Sequence, residues 1–121
     1  MPSLTPRPPE CALLHIIDAI GGKWPIMVMG TLLSGPTRFN ALLRATGASQ
    51  KMLSQTLKVL ERDGLVNRVV TPSIPVSVEY STTALGASLA EAIKPLWEWS
   101  DRNVDQVMAA RARACGEITL A

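Results

Sequence analysis

Apolar residues recur along this chain at helical spacing, and glycine or proline interrupts them at intervals. Leu13, Leu14, Ile16, Ile17 and Ile20 predict a first helix over residues 10–20, ended by Gly21-Gly22. A second helix over 23–33 is apolar almost throughout (Trp24, Ile26, Met27, Val28, Met29, Leu32, Leu33). That pattern predicts burial on all sides and a central position. Pro25 suits its first turn, and Ser34-Gly35-Pro36 breaks the chain. Residues 38–46 form a short helix with Phe39, Leu42 and Leu43 on one side. Gly47-Ala48 makes a tight turn, and Ser49 is a good N-cap for a longer helix that Gly64 closes.

That longer helix, residues 49–63, has two opposed faces. Leu53, Leu57 and Leu60 share one side, flanked by Met52, Thr56 and Val59. Lys51, Ser54, Gln55, Lys58 and Arg62 share the other, with Gln50 near its edge and a single acid, Glu61, at its margin. One face can bury. The other offers the donors and acceptors that base edges and phosphates require. A short helix, a glycine turn and a longer polar-faced helix make the helix-turn-helix layout.

Two strands are predicted next, over 65–71 and 76–81, the second alternating with Val76, Val78 and Tyr80 on one side. Pro72-Ser-Ile-Pro75 between them bars ladder pairing and favours an extended loop. Together they read as a wing. Thr83 caps a last helix whose stripe runs through Leu85, Leu89, Ile93, Leu96, Trp97 and Val104, with Pro95 as the expected place for a kink. The expected fold is mainly α with a small β-hairpin, a winged helix-turn-helix over residues 10–110. A proline-rich loose arm (1–9) precedes it and a fraying tail (111–121) follows.

Composition and charge narrow the functional classes. At 121 residues and 47% hydrophobic, the chain is one globular domain by length. No apolar run reaches the ~20 residues of a membrane span, and the start lacks the apolar core of a signal peptide, so a cytoplasmic location is expected. The net charge of +2 is uneven. Residues 23–68 hold seven bases against two acids, and the rest five bases against eight acids. A basic middle suggests a face aimed at a polyanion, although chance clustering on a solvated surface would look the same. One histidine, two distant cysteines and no phosphate-cradling glycine loop argue against a metal site, a disulfide scaffold, a cofactor and an enzyme.

Several short strings occur in a telling order: Gly21-Gly-Lys-Trp24, Gly35-Pro-Thr-Arg-Phe-Asn40, Ser49-Gln-Lys-Met-Leu53, Leu60-Glu-Arg-Asp-Gly-Leu65, Pro75, Val78-Glu-Tyr80 and Thr83-Ala-Leu-Gly86. In that order the span from Cys11 to about Trp99 resembles the HxlR family of winged helix-turn-helix transcriptional regulators. The resemblance implies a homodimer held by its first and last helices. It also implies binding to a palindromic double-stranded operator upstream of genes that are repressed or activated, and a cysteine at position 11 that answers electrophiles or oxidants; repression is the mode expected here. Family wings often carry a base shortly before the Val-Glu-Tyr motif. Here that position is Ser77, which implies a weaker grip on phosphate.

Each candidate residue has a functional and a plain reading. Gln50, Lys51, Ser54, Gln55 and Lys58 are the foremost DNA candidates, against a merely solvated helix face. Lys23 and Arg38 lie near helix starts, where phosphate is favoured, with Thr37 and Asn40 as polar helpers. Ser73, Ile74 and Ser77 could lie along the minor groove. Leu13, Leu14, Ile17, Leu89, Ile93, Leu96 and Trp97 are candidates for the dimer interface, since a monomer would leave apolar helices exposed. Trp24 reads as core. Cys11 is an inert interface residue, a sensor thiol near a helix start, or a partner for Cys115 or for a cysteine of the other subunit. His15, one turn on, reads as a partly buried polar residue. Two rival readings remain: a sensor of oxidant or small molecule whose output is DNA binding, and a winged-helix protein–protein module with no DNA role.

Overall fold

The computed structural model describes residues 12–120, so Cys11 and the proline-rich arm lie outside the described residues. The elements run α1 (Ala12–Ile20), α2 (Lys23–Leu32), β1 (Thr37–Arg38), α3 (Phe39–Thr46), α4 (Gln50–Arg62), β2 (Val66–Thr71), β3 (Ser77–Thr82) and α5 (Ala84–Leu120). The expected winged helix-turn-helix is what forms. Contacts divide the chain into two units, one through Ala90 and the other from Glu91.

In the first unit α2 packs against α1, α3, α4 and β3. Val28, Met29 and Leu32 are buried on it, with Leu42 of α3 and Leu53, Leu57 and Leu60 of α4. Burying each such side chain is worth roughly 1.5–3 kcal/mol. The expectation that α2 would be buried on every side needs correction, because Met27 and Leu33 are each 38% exposed. The helix has neighbours on only part of its circumference. Trp24, expected in the core, is half-buried.

The turn between α3 and α4 is held by one buried hydroxyl. Thr46 Oγ1 donates to the Leu42 carbonyl at 2.8 Å and accepts from the Ala48 N–H at 3.3 Å. Gly47 closes α3 in the left-handed conformation, φ 74°, its N–H bonding the Leu43 carbonyl at 3.0 Å. Ser49 Oγ then accepts from the Met52 N–H at 3.1 Å, so the predicted cap is present. At the other end of α4, Leu65 N–H reaches Leu60 O at 2.9 Å and Gly64 N–H reaches Glu61 O at 3.0 Å. This is the paired closure of a Schellman motif, with Gly64 at φ 76°. Leu60 and Leu65, the positions whose side chains commonly meet in this motif, are both buried.

The sheet is larger than the predicted hairpin. It has three antiparallel strands in the order β1-β3-β2. β2 and β3 pair from Val66↔Thr82 to Thr71↔Ser77, and β1 adds Thr37↔Tyr80 and Arg38↔Glu79. Two residues are too few to show an alternation, so only the pairing partner reveals β1. At the tip, Ser73 N–H donates to Thr71 O (2.8 Å) and Ser73 Oγ to Pro75 O (2.7 Å). The Ile74–Pro75 peptide is cis.

Thr83 joins three elements. Its Oγ1 donates to Gly64 O at 2.6 Å and accepts the Gly86 N–H at 2.9 Å, and its N–H bonds Leu65 O at 3.1 Å. A Cβ at Gly86 would collide with the Leu65 carbonyl, so only glycine lets α5 begin this close. In the second unit, α5 runs on to Leu120 and includes Pro95 without ending there. Of the fraying tail expected over 111–121, the described residues 111–120 lie in this helix. Ala109-Ala-Arg-Ala-Arg-Ala114 lacks an apolar stripe, but alanine and arginine are strong helix formers.

Candidate nucleic-acid interface

The buried leucines of α4 turn its polar face outward. Gln50, Lys51, Gln55 and Lys58 are exposed and Ser54 is half-buried. Beside this face lies an open cleft of about 620 Å³, lined by Arg38, Phe39, Asn40, Ser54, Tyr80 and the wing from Ser73 to Val78. Six candidates drawn from β1, α3, α4 and the wing thus share one recess: Arg38, Asn40, Ser54, Ser73, Ile74 and Ser77. Arg38 ends β1 and is also the N-cap position of α3, with extended backbone (φ −75°, ψ 155°) and no side-chain cap. No side chain therefore caps the first N–H groups of α3. Phe39 and Tyr80 form the floor, ring centroids 6.5 Å apart.

A second recess, about 310 Å³, lies along the same helix and is lined by Ser54, Leu57, Lys58, Glu61, Arg68 and Tyr80. Arg68 belongs to the basic middle of the sequence but is not among the candidates its spacing suggests. It pairs with Tyr80 in the β2–β3 ladder and faces the same space as Lys58. Its presence in the basic segment was the only signal; a base in a strand does not reveal which side of the sheet it serves. Ser54 and Tyr80 border both recesses.

Not every candidate joins the cleft. Lys23 begins α2 and holds its Nζ 4.7 Å from the Trp24 ring centre, a cation–π contact outside both recesses. Thr37 is half-buried and uses its hydroxyl on Gly35 O at 3.0 Å. Gln50, Lys51 and Gln55 line neither recess. Arg62 is tied to Asp63 by bonds of 3.0 and 3.4 Å, which raise its pKa above the ordinary arginine value. Its charge is offset locally, so among the described residues the positive potential of α4 that no ion pair offsets is that of Lys51 and Lys58.

The dimer candidates differ among themselves. In the first unit Leu13 and Ile17 are exposed and Leu14 and Leu89 half-buried; in the second Leu96 is exposed, Trp97 half-buried and Ile93 buried. Exposed apolar side chains at Leu13, Ile16 and Ile17 leave α1 with an uncovered apolar face. His15, expected to be partly buried, is exposed, because α1 meets only α2 among the elements it contacts closely. Among the described residues no group of three metal-ligating side chains gathers, and no single helix is long and apolar enough to cross a membrane.

Comparison with known proteins agrees with this geometry. The model of the HxlR-like helix-turn-helix family matches residues 19–108. The uncharacterized HTH-type transcriptional regulator YtfH of Escherichia coli (strain K12) is 36% identical over 103 residues, covering 84% of this chain and 82% of that protein. Among solved structures, the transcriptional regulator ytfH from Salmonella typhimurium superposes with a TM-score of 0.77 at 36% identity, covering 85% of this chain and 93% of the other. The redox regulator HypR in its reduced form gives 0.75 at 35% identity, covering 80% and 97%. The chain is thus a DNA-binding transcriptional regulator and not an enzyme, and it belongs to the HxlR-like helix-turn-helix family.

Proposed function

We propose that this regulator acts in the cytoplasm as a homodimeric repressor on a palindromic operator. Each protomer sends α4 into a major groove, with half-sites about one helical turn apart. Gln50, Lys51, Ser54, Gln55 and Lys58 meet bases and phosphates there. Arg38, helped by Thr37 and Asn40, holds the phosphate backbone at the start of α3, and Lys23 does so at the start of α2. Ser73, Ile74 and Ser77 follow the minor groove. The observation that carries this reading is the cleft in which Arg38, Asn40, Ser54 and the wing tip converge beside the exposed face of α4. The exposed apolar face of α1 and the stripe through Leu96 and Trp97 supply the dimer contacts.

Selection from a random duplex library with the full chain tests the proposal. An enriched palindrome is the expected result. Enrichment of no duplex would sink it and favour a protein–protein module.

The likeness to a redox regulator supports an oxidant or electrophile as inducer, with Cys11 as the responding thiol. Diamide is then expected to change the affinity of the wild-type chain for its duplex, and Cys11→Ser to abolish that change. Identical diamide titrations of the two proteins would remove Cys11 from the switch.

A further inference from the structure

From Val69 to Val78 the wing carries no ionisable side chain. Arg68 stands before this stretch and Glu79 after it. A wing so built cannot grip phosphate at its tip by charge. Its tip offers apolar surface instead: Ile74 is fully exposed, and Val76 is 65% exposed. Nor is the tip loose. The two Ser73 hydrogen bonds, to Thr71 O and Pro75 O, brace it. Pro72 and Pro75 restrict the backbone on either side of Ile74. A side chain presented on a braced loop loses little freedom when it is covered. Ser73, Ile74 and Pro75 line the same cleft as Arg38, Asn40 and Ser54, so the tip lies on the side assigned to DNA. Isoleucine and proline are among the residues that enter the minor groove as wedges between base steps.

We propose that Ile74 is such a wedge. It inserts at a base step at the outer edge of each half-site and partly unstacks it. This inference rests on the DNA-binding reading and specifies how the wing takes part. Two consequences follow from the chemistry. The contribution of Ile74 to affinity is independent of salt, because no counterion is released by an uncharged side chain. The step it enters is a pyrimidine–purine step, TA or CA/TG, since these unstack most easily.

The test uses the full chain and the duplex enriched by selection, with 2-aminopurine substituted in turn at adenines flanking each half-site. Wild-type binding is expected to raise the fluorescence at one flanking position, the mark of lost stacking. Ile74→Ala is expected to weaken binding by on the order of tenfold. It should leave the slope of log K against log salt unchanged, abolish the fluorescence rise, and erase the flanking TA or CA preference when selection is repeated. Ile74→Leu is expected to restore the affinity, the fluorescence rise and the flanking preference.

A flanking signal that never rises with wild-type protein overturns the wedge, as does Ile74→Ala binding indistinguishable from wild type. Loss of self-association by Ile74→Ala in the absence of DNA also overturns it, because the tip would then dock on a second copy. A wild-type chain that enriches no duplex overturns the DNA reading itself. That outcome is distinct from a duplex that binds without unstacking.

Discussion

Lys58 and Arg68 reach one recess from different elements, and among the described residues neither forms an ion pair. Each can therefore neutralise a backbone phosphate. Lys58→Ala and Arg68→Ala are each expected to weaken binding and to reduce the salt slope by about one contact, ~0.9 in log–log units. Fluorescence anisotropy across a salt series checks this; an unchanged slope would assign the residue another role. Lys58 was legible from its place on the polar arc of α4. Arg68 was not, because its significance comes from a strand register that sets it opposite Tyr80. Ser54 was legible as an outward residue. Its position bordering two recesses is a tertiary fact that helical spacing cannot contain.

At the scale of elements, α4 owes its definition to local chemistry at both ends. Replacing the Ser49 cap with alanine is expected to cost about 0.5–2 kcal/mol. Gly86→Ala is expected to cost more, at least about 2–3 kcal/mol, because the new methyl meets backbone, which cannot move aside like a flexible side chain. Thermal or urea unfolding of the two variants ranks them, and a milder effect for Gly86→Ala would contradict the close approach at Leu65. The boundaries of α4 could be read from the chain since cap, apolar period and closing glycine agree. β1 escaped because it is two residues long and exists only by virtue of β3. The far end of α5 escaped for the opposite reason: it has no apolar stripe to announce it, and its alanines and arginines favour helix by intrinsic propensity alone. The cleft escaped too, since residues near 40, 54 and 75 meet only once the sheet is built.

For the whole molecule, the uncovered apolar face of α1 bears on assembly. Ile17 is 47% exposed, so a charged replacement does not disturb the core of its own protomer. Ile17→Glu is expected to raise the dimer dissociation constant by about 100-fold or more while leaving the protomer folded. Sedimentation equilibrium and circular dichroism on the same sample check both halves. A variant that stays dimeric would move the interface away from α1. Loss of the dimer should also cost most of the affinity for a palindrome, since two linked reading heads bind far more tightly than one.

The division of α4 into a buried leucine side and an outer polar side has a consequence for how such a regulator changes its target. Gln50, Lys51 and Gln55 are exposed, and among the described residues their side chains make no hydrogen bond. Substitutions there touch no structural contact, and such surface changes usually alter stability by no more than about 0.5 kcal/mol. A gene duplicate could therefore drift to a new operator without passing through an unstable intermediate. A library randomised at those three positions should melt within a few degrees of the parent while its members enrich different duplexes. Widespread loss of folding in that library would show that the outer face is under structural constraint after all.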